Sequence, residues 1–261
     1  MKTLIIKALA LVLFTTQAFA TDLLDTVEKK GVLTIGLEGT YPPFNFKDDK
    51  QQLTGFDVEI AKEIAKRLHL KPEFKEGEWT ALLAGLEAHR FDIVVDQVAI
   101  TPERQQVFDF SVPYRISQMQ LMINKNETRK FNNLEDLRGK RLGVAQGTNY
   151  ADAAKAVGGI DVHIYPSTTE FLEDLSTGRI DAVLNDHLLV PFLIKQSKLP
   201  VKAGVLVGDP ITMAIPFVKG NPKFKKAIDK ALLDMQADGT FKTISMKWFG
   251  VDVSKSPSAA K

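Results

Sequence analysis

The chain has 261 residues, 44% of them hydrophobic, a formal net charge of +2 and no cysteine. Thiol chemistry, disulfides and a cysteine-linked lipid are thereby excluded. The near balance of charge gives no basis for a nucleic-acid or membrane-surface partner.

The first twenty residues, MKTLIIKALALVLFTTQAFA, join Lys2 and Lys7 to an apolar run over residues 8–14 and end in the small-x-small pattern Ala18-Phe19-Ala20. They read as a secretory signal peptide, too short and wrongly flanked for a membrane anchor. Cleavage after Ala20 removes two lysines and no acid, so the charge of the exported protein falls to zero. A periplasmic protein without a lipid anchor is expected.

From there on, short β-branched or apolar runs alternate with segments of helical period. Strands are predicted at residues 33–37, 93–95, 141–145, 162–165, 180–184 and 212–217, and helices at 57–68, 80–89, 150–157, 168–177 and 222–236. Such alternation predicts an α/β chain with mainly parallel sheets, whose ligands sit outside the carboxyl ends of strands. Two extended segments, around residues 117–123 and 209–217, let the chain cross between two lobes. The first lobe then combines residues 21–117 with 212–250, the second holds 118–211, and 251–261 form a flexible tail.

In VAITPER, Thr101 suits a helix cap, Pro102 the first helical position and Glu103 the positive end of the helix dipole. Arg104 breaks this pattern. A cation beside free backbone N–H groups makes sense where both hold an anion, since helix N-termini and guanidinium forks each favour carboxylate or phosphate oxygens. A surface pair with Glu103 or Asp109 is the simpler alternative. In GVAQGTNYADAA, Gly147 permits a tight turn and Thr148 or Asn149 caps a helix starting at Tyr150. This second set of free N–H groups could clamp the same anion from the other lobe, or be an ordinary capped loop.

Asp186, in GRIDAVLNDHL, follows an apolar run and is either an N-cap or a partner for an ammonium group. Tyr41, in EGTYPPFNF, precedes two prolines and sits on a stiff extended loop, where an aromatic ring can stack on a ligand. Phe44 and Phe46 suit the core, and Trp79, just before a helix, offers an opposite wall or a packing plug. Glu38 and Asp96 stand at strand ends as further contacts. The histidines, His69, His89, His163 and His187, form no i,i+4 metal pair. There is no Gly-x-Ser-x-Gly elbow, phosphate-binding loop or dinucleotide fingerprint, so neither metal nor cofactor is expected.

The segments GLEGTYPPFNF, LTGFDVEIAKEIAKRL, DQVAITPERQQVFDFSVPY, LRGKRLGVAQGTNY, GRIDAVLND and MQADGTFKTISMKWFG occur in one order. Together they resemble the periplasmic solute-binding proteins of polar amino-acid ABC importers, and GLEGTYPPF, DQVAIT, QGTNY and KWFG look most like the cystine-binding branch. The resemblance implies two α/β lobes joined by two hinge strands, the type II periplasmic-binding-protein architecture, with no enzymatic activity. It implies a monomer that closes on an L-amino acid and delivers it to an inner-membrane permease with a cytoplasmic ATPase.

Carried over onto this chain, the resemblance places the ligand α-carboxylate on Arg104, Thr101 and the amides of Gly147, Thr148 and Asn149. The α-ammonium falls to Asp186, helped by the Ala99 carbonyl and the Thr101 hydroxyl. Tyr41 and Trp79 enclose the side chain, Glu38 stands near its far end, Glu38, Asp96 and Asn149 could receive a second charged group there, and Gln146 is a further ligand contact. Residues 97–98 depart from the commoner pattern, which often has a glycine there. Glutamine, histidine or a basic amino acid is an alternative ligand. A lyase on the same scaffold, similar to cyclohexadienyl dehydratase, would need a positioned acid, for which Glu38 or Asp186 is available.

Overall fold

The computed structural model describes residues 21–255, and the signal-peptide expectation lies outside them. The Asp22 carboxylate accepts the Leu24 N–H and starts α1 (Leu23–Lys30), which ends at Gly31 in the left-handed region. The chain then enters β1 (Val32–Leu37). A small antiparallel ribbon follows, formed by β2 (Thr40–Tyr41), β3 (Asn45–Lys47) and β4 (Leu53–Thr54).

Next come α2 (Phe56–Arg67), β5 (Lys71–Glu76), α3 (Trp79–Glu87), β6 (Ile93–Val94), α4 (Pro102–Val107) and β7 (Phe108–Phe110). The parallel sheet of this lobe has β1 at its centre, flanked by β5 and β6. On α2, Phe56, Ile60 and Ile64 repeat every four residues and are fully buried in one core with Leu33 and Ile35 of β1. Each such side chain contributes roughly 1.5–3 kcal/mol by leaving water.

The α2 terminus is docked by Gly55. Its φ of 127° lies outside the range of L side chains, and a Cβ there would sit 2.2 Å from the Phe44 carbonyl oxygen. The close approach lets Phe56 and Asp57 donate their N–H groups to the carbonyls of Pro43 and Phe44, at 3.1 and 2.8 Å. The loop carrying Tyr41 is thereby tied to the core.

The long β8 (Arg115–Asn124) leaves this lobe for the second. After a 3-10 turn at Glu135–Leu137 come β9 (Arg141–Ala145), α5 (Asn149–Val157), β10 (Asp161–Tyr165), α6 (Thr168–Thr177), β11 (Ala182–Asp186) and α7 (Leu189–Ser197). The chain returns through β12 (Val201–Met213) to β13 (Pro216–Val218), which pairs with β7, and ends in α8 (Pro222–Ala237) and α9 (Thr240–Phe249). Phe224, Ile228 and Leu232 of α8 join the first core, closing the lobe with the far end of the chain.

The second sheet has the order β10-β9-β11-β8-β12. It is mixed where parallel strands were predicted, because β8 enters and β12 leaves, so β8 runs antiparallel to both β11 and β12. The strand predicted at 212–217 is split. Met213 bridges Ala99 and the Ala214 N–H donates to the Val98 carbonyl, so the chain passes from one sheet to the other at Ala214. The flexible tail expected from residue 251 is corrected over its first part: Val253 is buried and its carbonyl accepts the Ile116 N–H at 3.1 Å.

Candidate functional site

A cavity of about 280 Å³ opens between the lobes, roughly twice the ~150 Å³ that holds a benzene ring. From the first lobe Glu38, Thr40, Tyr41, Trp79, Asp96 and Gln97 reach it; from the second come Gln146, Thr148, Asn149, Tyr150 and Asn185. Seven of the residues singled out from the sequence are therefore on its wall: Glu38, Tyr41, Trp79, Asp96, Gln146, Thr148 and Asn149.

Arg104 lies beside this wall. Thr101 caps α4, its hydroxyl accepting the Arg104 N–H at 3.3 Å, and Pro102 occupies the first turn. The Arg104 guanidinium lies over the Trp79 ring at 5.3 Å and donates to the Ala99 carbonyl at 3.0 Å and the Gly147 carbonyl at 3.4 Å. Among the described residues it makes no ion pair with Glu103, Asp109 or another acid, and burial lowers its pKa. Gly147 has φ 70° before the Thr148 cap of α5, whose hydroxyl accepts the Ala151 N–H. The Trp79 indole also donates to the Gly147 carbonyl, at 3.2 Å, so this one oxygen joins the lobes.

Asp186, to which the resemblance assigns the ammonium group, is surrounded by protein donors. It ends β11, buried directly after Asn185 of the cavity wall, with both oxygens occupied. Arg115, at the start of β8, forms a two-pronged ion pair with it, and neither side chain is exposed beyond 1%. The Ser117 hydroxyl donates at 2.5 Å and the Leu188 N–H at 2.8 Å. Burial alone would raise the Asp186 pKa, but the charge and hydrogen bonds of Arg115 outweigh it and hold the group below its ordinary value. The Arg115 guanidinium also lies over the Phe44 ring at 5.1 Å. Next to the pair, His187 Nδ1 accepts the Gln118 N–H at 3.3 Å, and burial keeps the imidazole pKa low.

The opposite polarity gathers on the first lobe. Asn45 donates to Asp96 at 2.6 Å and to Asp57 at 3.3 Å, Gln97 donates to Asp57 at 2.5 Å, and the Tyr114 hydroxyl donates to Asp57 at 3.2 Å. Among the described residues no donor reaches the buried Gln97 Oε1, and the Asp96 carboxyl is hydrogen-bonded to that of Glu38. Burial pushes Asp57 up to about 6. Burial and the neighbouring charges of Glu38 and Asp57 push Asp96 well above the carboxylate range. Burial and the charge of Glu78 raise Glu38 to about 7. Gln97 holds φ 51°, a left-handed backbone that glycine would adopt without strain.

Sequence reasoning missed Arg115, Asn45, Asp57, Gln97 and Asn185. An arginine as the one charged residue of a strand, RISQMQLMIN, was a signal for a buried counter-ion. The others carry no local pattern.

Residues 33–251 match the family model of bacterial extracellular solute-binding proteins, family 3. The chain belongs to that family. It is 40% identical over 253 residues to the L-cystine-binding protein TcyJ of Escherichia coli (strain K12), covering 96% of this chain and 95% of that protein. It is 39% identical over 236 residues to the L-cystine-binding protein TcyA of Bacillus subtilis (strain 168), covering 90% and 87%. Among solved structures, the ancestral amino acid-binding protein AncCDT-1, a precursor of cyclohexadienyl dehydratase, superposes with a TM-score of 0.80 at 31% identity, covering 88% of this chain and all of that one. Two α/β lobes joined by two hinge strands are thus the architecture of a family-3 solute-binding protein. No helix of the described residues is long and apolar enough to cross a membrane.

Proposed function

We propose that this family-3 solute-binding protein is the extracytoplasmic component of an amino-acid ABC importer, binding an L-amino acid, L-cystine in the first instance, between its lobes. It acts in the periplasm as a monomer and delivers the ligand to an inner-membrane permease driven by a cytoplasmic ATPase. The observation that carries this reading is the interlobe cavity, with rings on its wall, a guanidinium without a carboxylate partner beside it, and an acidic wall. Identity to TcyJ and TcyA along nearly the whole chain favours cystine.

In this reading the ligand carboxylate displaces carbonyl oxygens from Arg104 and takes hydrogen bonds from the Thr101 hydroxyl and the start of α5. Tyr41 and Trp79 enclose the side chain. Residues 21–117 with 212–250 move as one body and 118–211 as the other, and ligand favours closure because it touches both. Glutamine, histidine or a basic amino acid would need only a different distal wall.

Calorimetric titration of refolded, ligand-free protein with cystine, glutamine, histidine, arginine and glutamate tests this. Strong cystine binding is expected; preference for another amino acid would replace the ligand and keep the importer. A lyase reading gains weight from Glu38, whose pKa near 7 suits a general acid. Turnover of prephenate or arogenate would establish it in place of binding alone.

A further inference from the structure

The second sheet is carried on a two-stranded ribbon. Residues 115–117 of β8 pair within this sheet with residues 211–213 of β12 alone, and from Met119 onward β8 is also paired with β11, where Met119 faces Asp186. Ribbon and sheet meet at Gln118, and there the β8–β12 ladder is interrupted. Met119 faces Val207 and Ser117 faces Ile211, so Gly208, Asp209 and Pro210 together stand opposite Gln118. Two features keep the ladder from closing: Gly208 is left-handed, with φ 67°, and Pro210 has no N–H to donate. A strand pair bends where its ladder bonds are missing, so this gap is where the ribbon turns against the sheet.

The Gln118 backbone is fastened on the side away from the gap. Its N–H donates to His187 Nδ1 at 3.3 Å and its carbonyl accepts the His187 N–H at 3.1 Å, which ties β8 to the second lobe. Across the gap its side-chain amide donates to the Gly208 carbonyl at 2.8 Å, in a structure whose lobes are bridged by Trp79 and Gly147. A second bulge repeats this chemistry away from the hinge: Gly204 and Val205 stand opposite Leu121, and the Gln120 amide donates to the Gly204 carbonyl at 3.0 Å.

We propose that Gln118 is the latch of the hinge: its amide holds β12 against β8 across the gap while the lobes are closed, and opening begins with loss of its bond to Gly208. Movement is thereby concentrated at residues 208–210, and one exposed hydrogen bond separates the closed arrangement from the open one. The latch acts without touching the ligand. Its effect on affinity rests on the amino-acid-binding reading; its effect on lobe separation does not.

The chain has no cysteine, so Lys62→Cys on α2 and Lys155→Cys on α5, both exposed and one on each lobe, take a spin-label pair whose separation is read by pulsed electron resonance. In the ligand-free protein Gln118→Leu should raise the ratio of open to closed lobes about two- to tenfold, the range for one hydrogen bond. Gln118→Glu, which keeps the shape and loses the donor, should act in the same direction. Gln120→Leu removes the same kind of bond inside one lobe and should leave the ratio unchanged. The Kd for L-cystine should weaken in the Gln118 variants by the same factor or less and stay at the wild-type value in Gln120→Leu. A ratio that rises in neither Gln118 variant, or rises equally in Gln120→Leu, overturns the latch. Wild-type protein that binds none of cystine, glutamine, histidine, arginine and glutamate overturns the amino-acid reading, while the ligand-free distances still decide the latch.

Discussion

Trp79 and Gly147 meet across the interlobe cleft: the indole N–H at the start of α3 donates to the carbonyl that precedes the α5 cap, at 3.2 Å. The same carbonyl accepts from Arg104. Trp79→Phe keeps most of the ring area and removes this donor, a loss of about 0.5–1.5 kcal/mol. Ligand affinity should fall about two- to tenfold, and small-angle scattering should show a larger radius of gyration in the ligand-free protein. Unchanged scattering and affinity would mean that the bond does not bias closure.

In the proposed site Arg104 is the group that takes the ligand carboxylate. A charge-assisted contact contributes about 1.5–3 kcal/mol, so Arg104→Ala should weaken binding by about ten- to a hundredfold. Thermal stability should change little, because among the described residues the guanidinium has two carbonyls and the Trp79 ring as partners and no ion pair. Calorimetry and a melting curve on the same sample read both quantities. Full affinity in this variant would remove Arg104 from the site.

The acidic wall makes both stability and binding depend on pH. Glu38 rises from 4.5 to about 7 and Asp57 from 3.8 to about 6, with Asp96 raised as well. Between the ordinary and raised values the folded protein keeps protons that the unfolded chain has released, so these groups make stability fall as pH rises. Glu127 and Asp238, both held near 2 by their arginine neighbours and local hydrogen bonds, act in the opposite sense only below about pH 4.5. Urea midpoints of the ligand-free protein should therefore be higher near pH 5 than at pH 8. A cationic ligand prefers ionised Glu38, so its Kd should tighten between pH 6 and 8, by up to about tenfold for one linked proton. A flat profile in both would show that the wall stays ionised throughout.

Arg115 and Asp186 are costly to separate. Removing one partner of a buried pair costs about 3–5 kcal/mol, whereas an apolar replacement of both is often near neutral. Arg115→Ala should lower the urea midpoint strongly, and Arg115→Met with Asp186→Leu should recover most of the loss. Equal losses in the single and double variants would point to packing over Phe44 as the dominant contribution.

Gly55 has no substitute. Gly55→Ala combines φ 127° with a Cβ 2.2 Å from backbone oxygen, an overpacking and strain cost of about 2–4 kcal/mol. Denaturant unfolding would measure it, and a loss under 1 kcal/mol would mean that the Tyr41 loop yields easily.

Much of this molecule was legible in one dimension because its signals are local. Helical period marked α2 and α8, Thr-Pro-Glu marked the start of α4, and Gly-Thr marked the turn into α5; each reflects backbone geometry within a few residues. The residues on the cavity wall could be named because strand ends and helix starts converge in α/β folds. What Asp186 does was decided only by tertiary structure. Its counter-ion lies 71 residues away and reaches it because β8 pairs antiparallel with β11. The link joining Asn45, Asp57 and Asp96 likewise depends on which loops pack together. Charge and burial act through space, and a short stretch of sequence records a residue's neighbours along the chain while leaving open which groups will share its low-dielectric surroundings.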